Sequence, residues 1–345
     1  MDSDGLGFST GACAAAAAKA AALAANGAPV PASLEIPFPG GMRFALPIAW
    51  ARPVPGGGEA AVVKDAGDDP DISQGATVIV AVSQAPEWSF TAGDGVGTVT
   101  LRGLQIPPGE AAINPAPRAM IRAALQELGW TGAAIRISIP GGAELAERTF
   151  NPRLGVLGGL SILGSTGRVR PFSLDAVRAT IDCSLDVVRA AGRDTVALVP
   201  GHLGERALRA WNRQLPVVEV SNEWGHALDA AVAKGFRALL LAGHPGKLVK
   251  LAEGYFDTHS ARSPSPLPRV QALAEALVGR ELAPTPTVEG VFQALDQGQR
   301  TRLAEPLARA VGQAAASRSG LPCGVFLTTM DGGIYGSCLE GTPWT

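Results

Sequence analysis

Hydrophobic and polar positions follow two different rhythms along this chain. Near the start, the run ACAAAAAKAAALAA consists almost wholly of the strongest helix former. Ser9 or Thr10 can cap it and Asn26-Gly27 supplies a left-handed stop, so the pattern predicts one helix whose small side chains let neighbours pack very close. From about residue 33 to 102 the pattern becomes short β-type runs separated by Gly, Pro and Asp: SLEIPFP, MRFALPIAW, EAAVVKDAG, ATVIVAVSQ and VGTVTLRG. Prolines inside several of them predict edges and irregular strands, not a central parallel sheet. A helix from about Pro117 to Leu128 then leads into the strand AAIRISIP. This half reads as α+β.

The second half alternates differently. A long helix from about Ser173 to Ala191 precedes three apolar runs, DTVALVPG, VVEVSN and ALLLAGHPG, each followed by a helical stretch. That alternation predicts a parallel sheet covered by helices. Prolines 264, 266, 268, 284 and 286 surround a short helix, and GVFLTTMDGGIYGSC predicts a hairpin turning at Asp331-Gly332-Gly333. The expected organisation is an α+β domain over residues 1–152, a Rossmann-like α/β domain over 153–275, and a C-terminal segment over 276–345 with a helix and a β-hairpin, whose domain the sequence leaves open.

Composition narrows the function classes. With 46% hydrophobic residues and a formal charge of −2, the chain is neither disordered nor a dedicated nucleic-acid binder. Its 24 Arg against 5 Lys match a genome rich in G and C, or a ligand rich in carboxylate or phosphate, which guanidinium grips in a two-pronged way. The four cysteines form no C-x-x-C pair, and the four histidines, all between 202 and 259, match no compact metal-ligand spacing. The start carries no charged-then-apolar signal and the alanine run is too short to span a bilayer, so a cytoplasmic protein without a membrane segment is expected.

Candidate chemistry sits where strands end and glycines cluster. In an open parallel sheet ligands bind beyond the carboxyl ends of the strands, which here carry Gly201, Ser221, Asn222, Gly243 and His244. GHPGK lacks the spacing of a phosphate loop, and Gly93 to Gly97 precedes a strand where a dinucleotide fingerprint needs a helix. In the acidic stretch KDAGDDPD, either a solvated turn or a proton-handling site is open, with Asp68 or Asp69 as the acid and Lys64 engaging an acid group. Thr10 to Cys13 at the helix start is either a cap or an anion cradle.

Six strings in this order, GFSTGACAAAAAKAA, KDAGDDPDISQGA, GDGVGTVTLRGL, IPPGEAAINPAPRAMI, ISIPGGAELAERTFNPRLGVLGGLSILGSTGRVRP and AGHPGKLVKLAEGYFDTHS, resemble the anaerobic-type cobalt-precorrin-5B C-1 methyltransferase family, CbiD. The resemblance covers nearly all of residues 5–260, and ARSPSPLPRV departs from it. It implies methyl transfer from S-adenosylmethionine to ring carbon C-1 of cobalt-precorrin-5B, giving cobalt-precorrin-6A. Cobalt then belongs to the substrate, and no metal site of the protein's own is implied.

On that reading Arg118, Arg153, Arg168 and Arg170, with Lys64 and Thr10, are expected to bind the carboxylates of the tetrapyrrole between the two domains. Asp68 and Asp69 are expected to take the departing proton. S-adenosylmethionine is expected at the strand ends named above, with the glycine strings 93–97 and 155–164 as the open alternative. A non-catalytic tetrapyrrole carrier and an adenine-nucleotide enzyme are the rival readings. Self-association and transient contact with neighbouring pathway enzymes stay open.

Overall fold

The computed structural model describes residues 5–171 and 173–344. No described helix is long and apolar enough to cross a membrane. The chain divides into two compact units, residues 1–173 and 174–345. Both mix helix and sheet, and the parallel strands expected from the second rhythm are present.

In the first unit a five-stranded sheet runs in the order Trp50–Val54, Gly57–Val63, Thr77–Gln84, Ala133–Ser138, Ser89–Ala92. Its pairs are antiparallel except the last, which is parallel. The alanine helix, Thr10–Ala25, packs on this sheet with the helix Pro115–Gln126 beside it. Ser9 caps it by accepting from the Ala12 amide, and Asn26 ends it.

Its alanines are buried on every face, so close approach replaces large side chains as the source of apolar burial. The closest approach is at Gly58, where a Cβ would stand 1.9 Å from the carbonyl oxygen of Ala21. The facing strand supplies alternate residues, Val78, Val80 and Val82, to the same core. Close backbone packing also explains the glycine strings. A Cβ on Gly95 would stand 1.9 Å from Ile139 O, and Cβ atoms on Gly142 and Gly159 would both strike Gly95 O at 2.3 Å.

In the second unit the sheet order is Val217–Glu219, Thr195–Val199, Ala238–Gly243, Cys323–Thr328, Ile334–Cys338. The first four strands are parallel and the last is antiparallel. Ala238–Gly243 and Cys323–Thr328 are buried along their whole length, as strands covered on both faces must be. The chain leaves Thr195–Val199 towards one edge, then returns past it to Ala238–Gly243, so the winding direction reverses between these two neighbours. The 23-residue helix Gln297–Ser319, started by an Asp296–Gln299 capping box and stopped at Gly320, packs against the last two strands.

One expected boundary moves. Residues 153–173 belong to the first unit, because Val156–Leu157 pairs with Thr98–Val99 and Arg168–Val169 with Gly7–Phe8. The C-terminal segment 276–345, whose domain the sequence leaves open, belongs to the second unit. Its hairpin extends the second sheet, through parallel pairing of Cys323–Thr328 with Ala238–Gly243.

Candidate functional site

Each unit gathers part of the candidate chemistry. In the first unit the resembling strings converge on the start of the alanine helix. The Phe8 amide donates to Asp65 O at 2.7 Å, Ser9 N to Gly167 O at 2.9 Å, and Gly11 N to Leu163 O at 3.0 Å. Asp68 N reaches back to Gly5 O at 3.0 Å, and a Cβ on Gly11 would meet Pro117 at 2.7 Å. Residues 5–11, 65–68, 117 and 161–168 therefore form one cluster of loops, held mainly by backbone hydrogen bonds.

Inside that cluster the expected residues have unequal freedom. Thr10 is buried, and its hydroxyl accepts from Leu163 N at 3.0 Å, so it staples the helix start to the 161–163 segment. Lys64 is only 1% exposed, with Nζ 2.6 Å from Asp71. It is enclosed, contrary to the expectation that it grips a bulky ligand. Burial acts to raise the Asp71 carboxyl, but hydrogen bonds from Lys64 and from the Ser73 hydroxyl and amide hold it below its ordinary value. Burial pushes the Cys13 thiol up to about 12, which leaves it un-ionised and unreactive at the helix start.

The arginines divide in the same way. The Arg168 guanidinium lies 4.7 Å from the ring centres of both Phe8 and Phe44 and donates to Leu6 O at 3.1 Å. Arg118 donates to Ile113 O at 2.8 Å and to Glu110 at 2.9 Å. Both hold loops in place. Arg153, above the Phe150 ring, and Arg170 are exposed, as is Asp68, while Asp69 is half-buried.

In the second unit the expected strand-end residues lie where the sheet changes winding direction. Gly201 precedes the helix His202–Trp211, and His244 caps the helix Pro245–Ala252. His244 Nδ1 accepts from Gly246 N at 3.0 Å, which places the ring proton on Nε2, 2.8 Å from Glu289. Tyr335 donates to the other Glu289 oxygen at 2.9 Å. Burial opposes ionisation of Glu289, yet the hydrogen bonds from His244 and Tyr335 keep its carboxyl below the ordinary range. Both His244 nitrogens are therefore engaged within the protein. Asn222 Oδ1 accepts from the Thr258 hydroxyl at 3.2 Å and ties down the following loop. Ser221, at φ 53°, is the one non-glycine residue among those described with positive φ, a conformation costing about 1–2 kcal/mol that collects at functional turns.

Three residues at these strand ends were not singled out by sequence reasoning. Glu219 ends its strand level with Val199 of the neighbouring strand. Lys247 lies in the first turn of Pro245–Ala252, half-buried, and burial lowers its ammonium below the ordinary lysine value while the charge of Glu219 acts in the opposite sense. Thr328, at the end of Cys323–Thr328, is 1% exposed, and its hydroxyl has no hydrogen-bond partner among the described residues. Only a charge at the end of an apolar run marked the first two in the sequence.

The family model CbiD matches residues 2–171, almost the whole of the first unit. A cobalt-precorrin-5B C(1)-methyltransferase of Syntrophotalea carbinolica is 50% identical over 98% of this chain and 98% of its own. Proteins of the same name from Desulfitobacterium hafniense and Moorella thermoacetica are 42% and 44% identical, covering 83% and 84% of this chain and 77% and 82% of theirs. A crystal structure of the cobalamin biosynthesis protein cbiD from Archaeoglobus fulgidus aligns with TM-score 0.41 at 25% identity, over 74% of this chain and 82% of that one. With half of its residues shared along both units with such a relative, this chain belongs to the CbiD family.

Proposed function

We propose that this protein is a cobalt-precorrin-5B C-1 methyltransferase of cobalamin biosynthesis, working in the cytoplasm and using S-adenosylmethionine as methyl donor. The observation that carries the reading is the 50% identity spanning 98% of both chains. The second unit, a mostly parallel sheet with helices on both faces, supports a Rossmann-like description, and the first an α+β one.

The strand ends of the second unit fit the donor. Glu219 and Lys247, two charged residues of opposite sign, stand at strand ends beside its winding reversal, where ligands of open α/β sheets bind, and Thr328, a buried hydroxyl without a partner among the described residues, ends the next strand. Gly201 leaves room for a ligand against the backbone there, whereas Gly243 is closed over by Pro200 and Leu248, and the Ser221 turn shapes the edge. His244 and Asn222 act behind them, holding the helix start and the 256–258 loop in position. The glycine strings 93–97 and 155–164 are occupied in packing the first unit against itself, which favours the strand ends over them.

When bound, S-adenosylmethionine supplies an electrophilic methyl group, so the protein's work is to orient the ring carbon, exclude water and accept a proton. In the first unit Arg153 and Arg170 have guanidinium groups exposed for substrate carboxylates. Arg118, Arg168, Thr10 and Lys64 keep the surrounding loops rigid. Asp68 and Asp69, on the loop bound to Gly5, are the proposed proton acceptors.

Incubation with methyl-labelled S-adenosylmethionine and cobalt-precorrin-5B is expected to place the label at C-1 of the product. Label remaining on the donor, with the tetrapyrrole bound but unchanged, would identify a carrier instead. Arg153→Glu is expected to raise the KM for the tetrapyrrole about tenfold with little change in kcat, the loss of one charge-assisted contact. An unchanged KM in the folded variant removes Arg153 from the substrate site.

A further inference from the structure

We infer that the uncovered face of the first unit's five-stranded sheet seats a second copy of this chain, packed face to face about a two-fold axis that runs along the strand Thr77–Gln84. Such an interface stands apart from the methyl-transfer reading and does not depend on it.

Alternation along the strands sorts the sheet into two faces. Val78, Val80 and Val82 belong to the core under the alanine helix, whereas Ile79, Ala81 and Ser83 between them lie outside it. Register carries this second face across the sheet, with Ile79 opposite Ala61 on one side and Ser83 opposite Ala134 on the other. Ile79, Ala81 and Ala134 are only half-buried, so no described element lies over them. Around that small apolar centre Arg52, Thr91 and Arg136 are exposed. An open sheet face that meets only water carries polar side chains at its centre. An apolar centre inside a polar rim is the anatomy of an interface between proteins.

The charges name the occupant. Arg52, Glu59, Ala81, Arg136 and Thr91 form one row across the five strands, with Glu59 and Arg136 the immediate neighbours of Ala81 on either side. A two-fold axis along the strand of Ala81 exchanges the two sides, so each Glu59 faces the second copy's Arg136, twice per dimer. Both groups have capacity left. Arg52 donates at 2.5 and 3.0 Å to Glu59 Oε2 alone, and Arg136 makes no hydrogen bond or ion pair among the described residues. Sheets stacked face to face cross at about 30°, which displaces groups one strand from the axis by about 2–3 Å, within reach of these side chains. A carboxylate beside the apolar centre disfavours an anionic ligand there, but it suits a partner that brings its own arginine. The face measures about 24 Å across the strands and about 20 Å along them, so two copies cover about 1,000 Å² in total, enough for a specific interface of modest strength.

Sedimentation equilibrium of the full chain, from about 1 to about 100 μM, is expected to show a monomer and dimer in exchange. Ala81→Arg puts a charge on the axis and is expected to leave only monomer, with the unfolding midpoint unchanged. Arg136→Glu and Glu59→Arg each set like charges face to face twice, so either alone is expected to weaken self-association at least about 100-fold. Mixed in equal amounts, the two variants restore both pairs, and a heterodimer at least about tenfold tighter than either homodimer is expected. A wild type that stays monomeric at the highest concentration, or a dimer indifferent to Ala81→Arg, overturns the interface. Charge variants that associate like wild type, or a mixture no tighter than its components, overturn the axis and its ion pairs. Should Ala81→Arg fail to fold, Arg136→Glu on its exposed side chain decides: unchanged self-association overturns the proposal.

Discussion

Gly58→Ala is expected to destabilise the first unit by at least about 3 kcal/mol, the upper range for forcing extra atoms into a packed core. The added Cβ would stand 1.9 Å from Ala21 O and 2.9 Å from both Ala21 C and Ala25 N. All three are backbone atoms of the alanine helix, so no side chain can turn aside to relieve the overlap. Relief requires the helix to lift from the sheet by more than an ångström, which opens the dispersion contacts of a core that has only alanine methyls on that side.

Gly56→Ala is the control. That glycine has φ 78° and nothing within 4 Å of the added atom, so its substitution costs only the left-handed strain of about 1–2 kcal/mol. Denaturant unfolding followed with hydrogen exchange of the helix amides measures both. Equal costs at 56 and 58 would mean that the helix is not seated on the strand as described. Because Ser9, Thr10 and Gly11 tie the loop cluster to the start of this helix, Gly58→Ala is expected also to reduce methyl transfer in the molecules that remain folded.

These particulars show which parts of the molecule could be read from the sequence. The alanine helix and its caps were legible because propensity, capping residues and stop signal agree within one stretch. The parallel strands were legible because burial on both faces leaves an uninterrupted apolar run. The boundary between the units was not, since it depends on Val156–Leu157 and Arg168–Val169, two-residue strands too short to carry a period and paired with segments far away in the chain.

The candidate site divides similarly. Resemblance found the strings, but it could not say which of their side chains are enclosed. Lysine is almost never fully buried unless paired, so Lys64 reads as a surface cation until Asp71 is seen against it. Arg168 reads as a free guanidinium until Phe8 and Phe44 are seen on either side. Glu219 was passed over for the opposite reason: a single acid at the end of VVE has no local pattern, and only the order of strands gives it a neighbour in Gly201.

The enclosed lysine leads to the other large expected effect. Lys64→Met is expected to cost about 3 kcal/mol at pH 7, the lower end for breaking a buried ion pair, because Asp71 keeps some access to water. Methionine fills a similar volume, so the loss is electrostatic: the Asp71 carboxylate retains Ser73 but loses its cation. The dependence on pH follows from the sign of the shift. Asp71 is held below its ordinary value in the folded protein, so its contribution is complete above the unfolded value of about 3.9 and is lost as pH falls through the folded one. In the variant the contribution of Lys64 is gone and burial pushes the carboxyl up, so acidification relieves the variant while it penalises the wild type, whose lysine is left charged and unpaired.

The stability gap between the two proteins is therefore expected to narrow between pH 5 and pH 3, as read from denaturant midpoints across that range. A gap that stays constant with pH would place the cost in packing and refute the ion-pair account. The same substitution also bears on catalysis. The Lys64 side chain ties down the 65–75 loop through Asp71, beside backbone bonds that the substitution leaves in place, and that loop carries Asp68 and Asp69. Lys64→Met is thus expected to lower kcat for methyl transfer while leaving the affinity for S-adenosylhomocysteine, whose proposed site is in the second unit, unchanged.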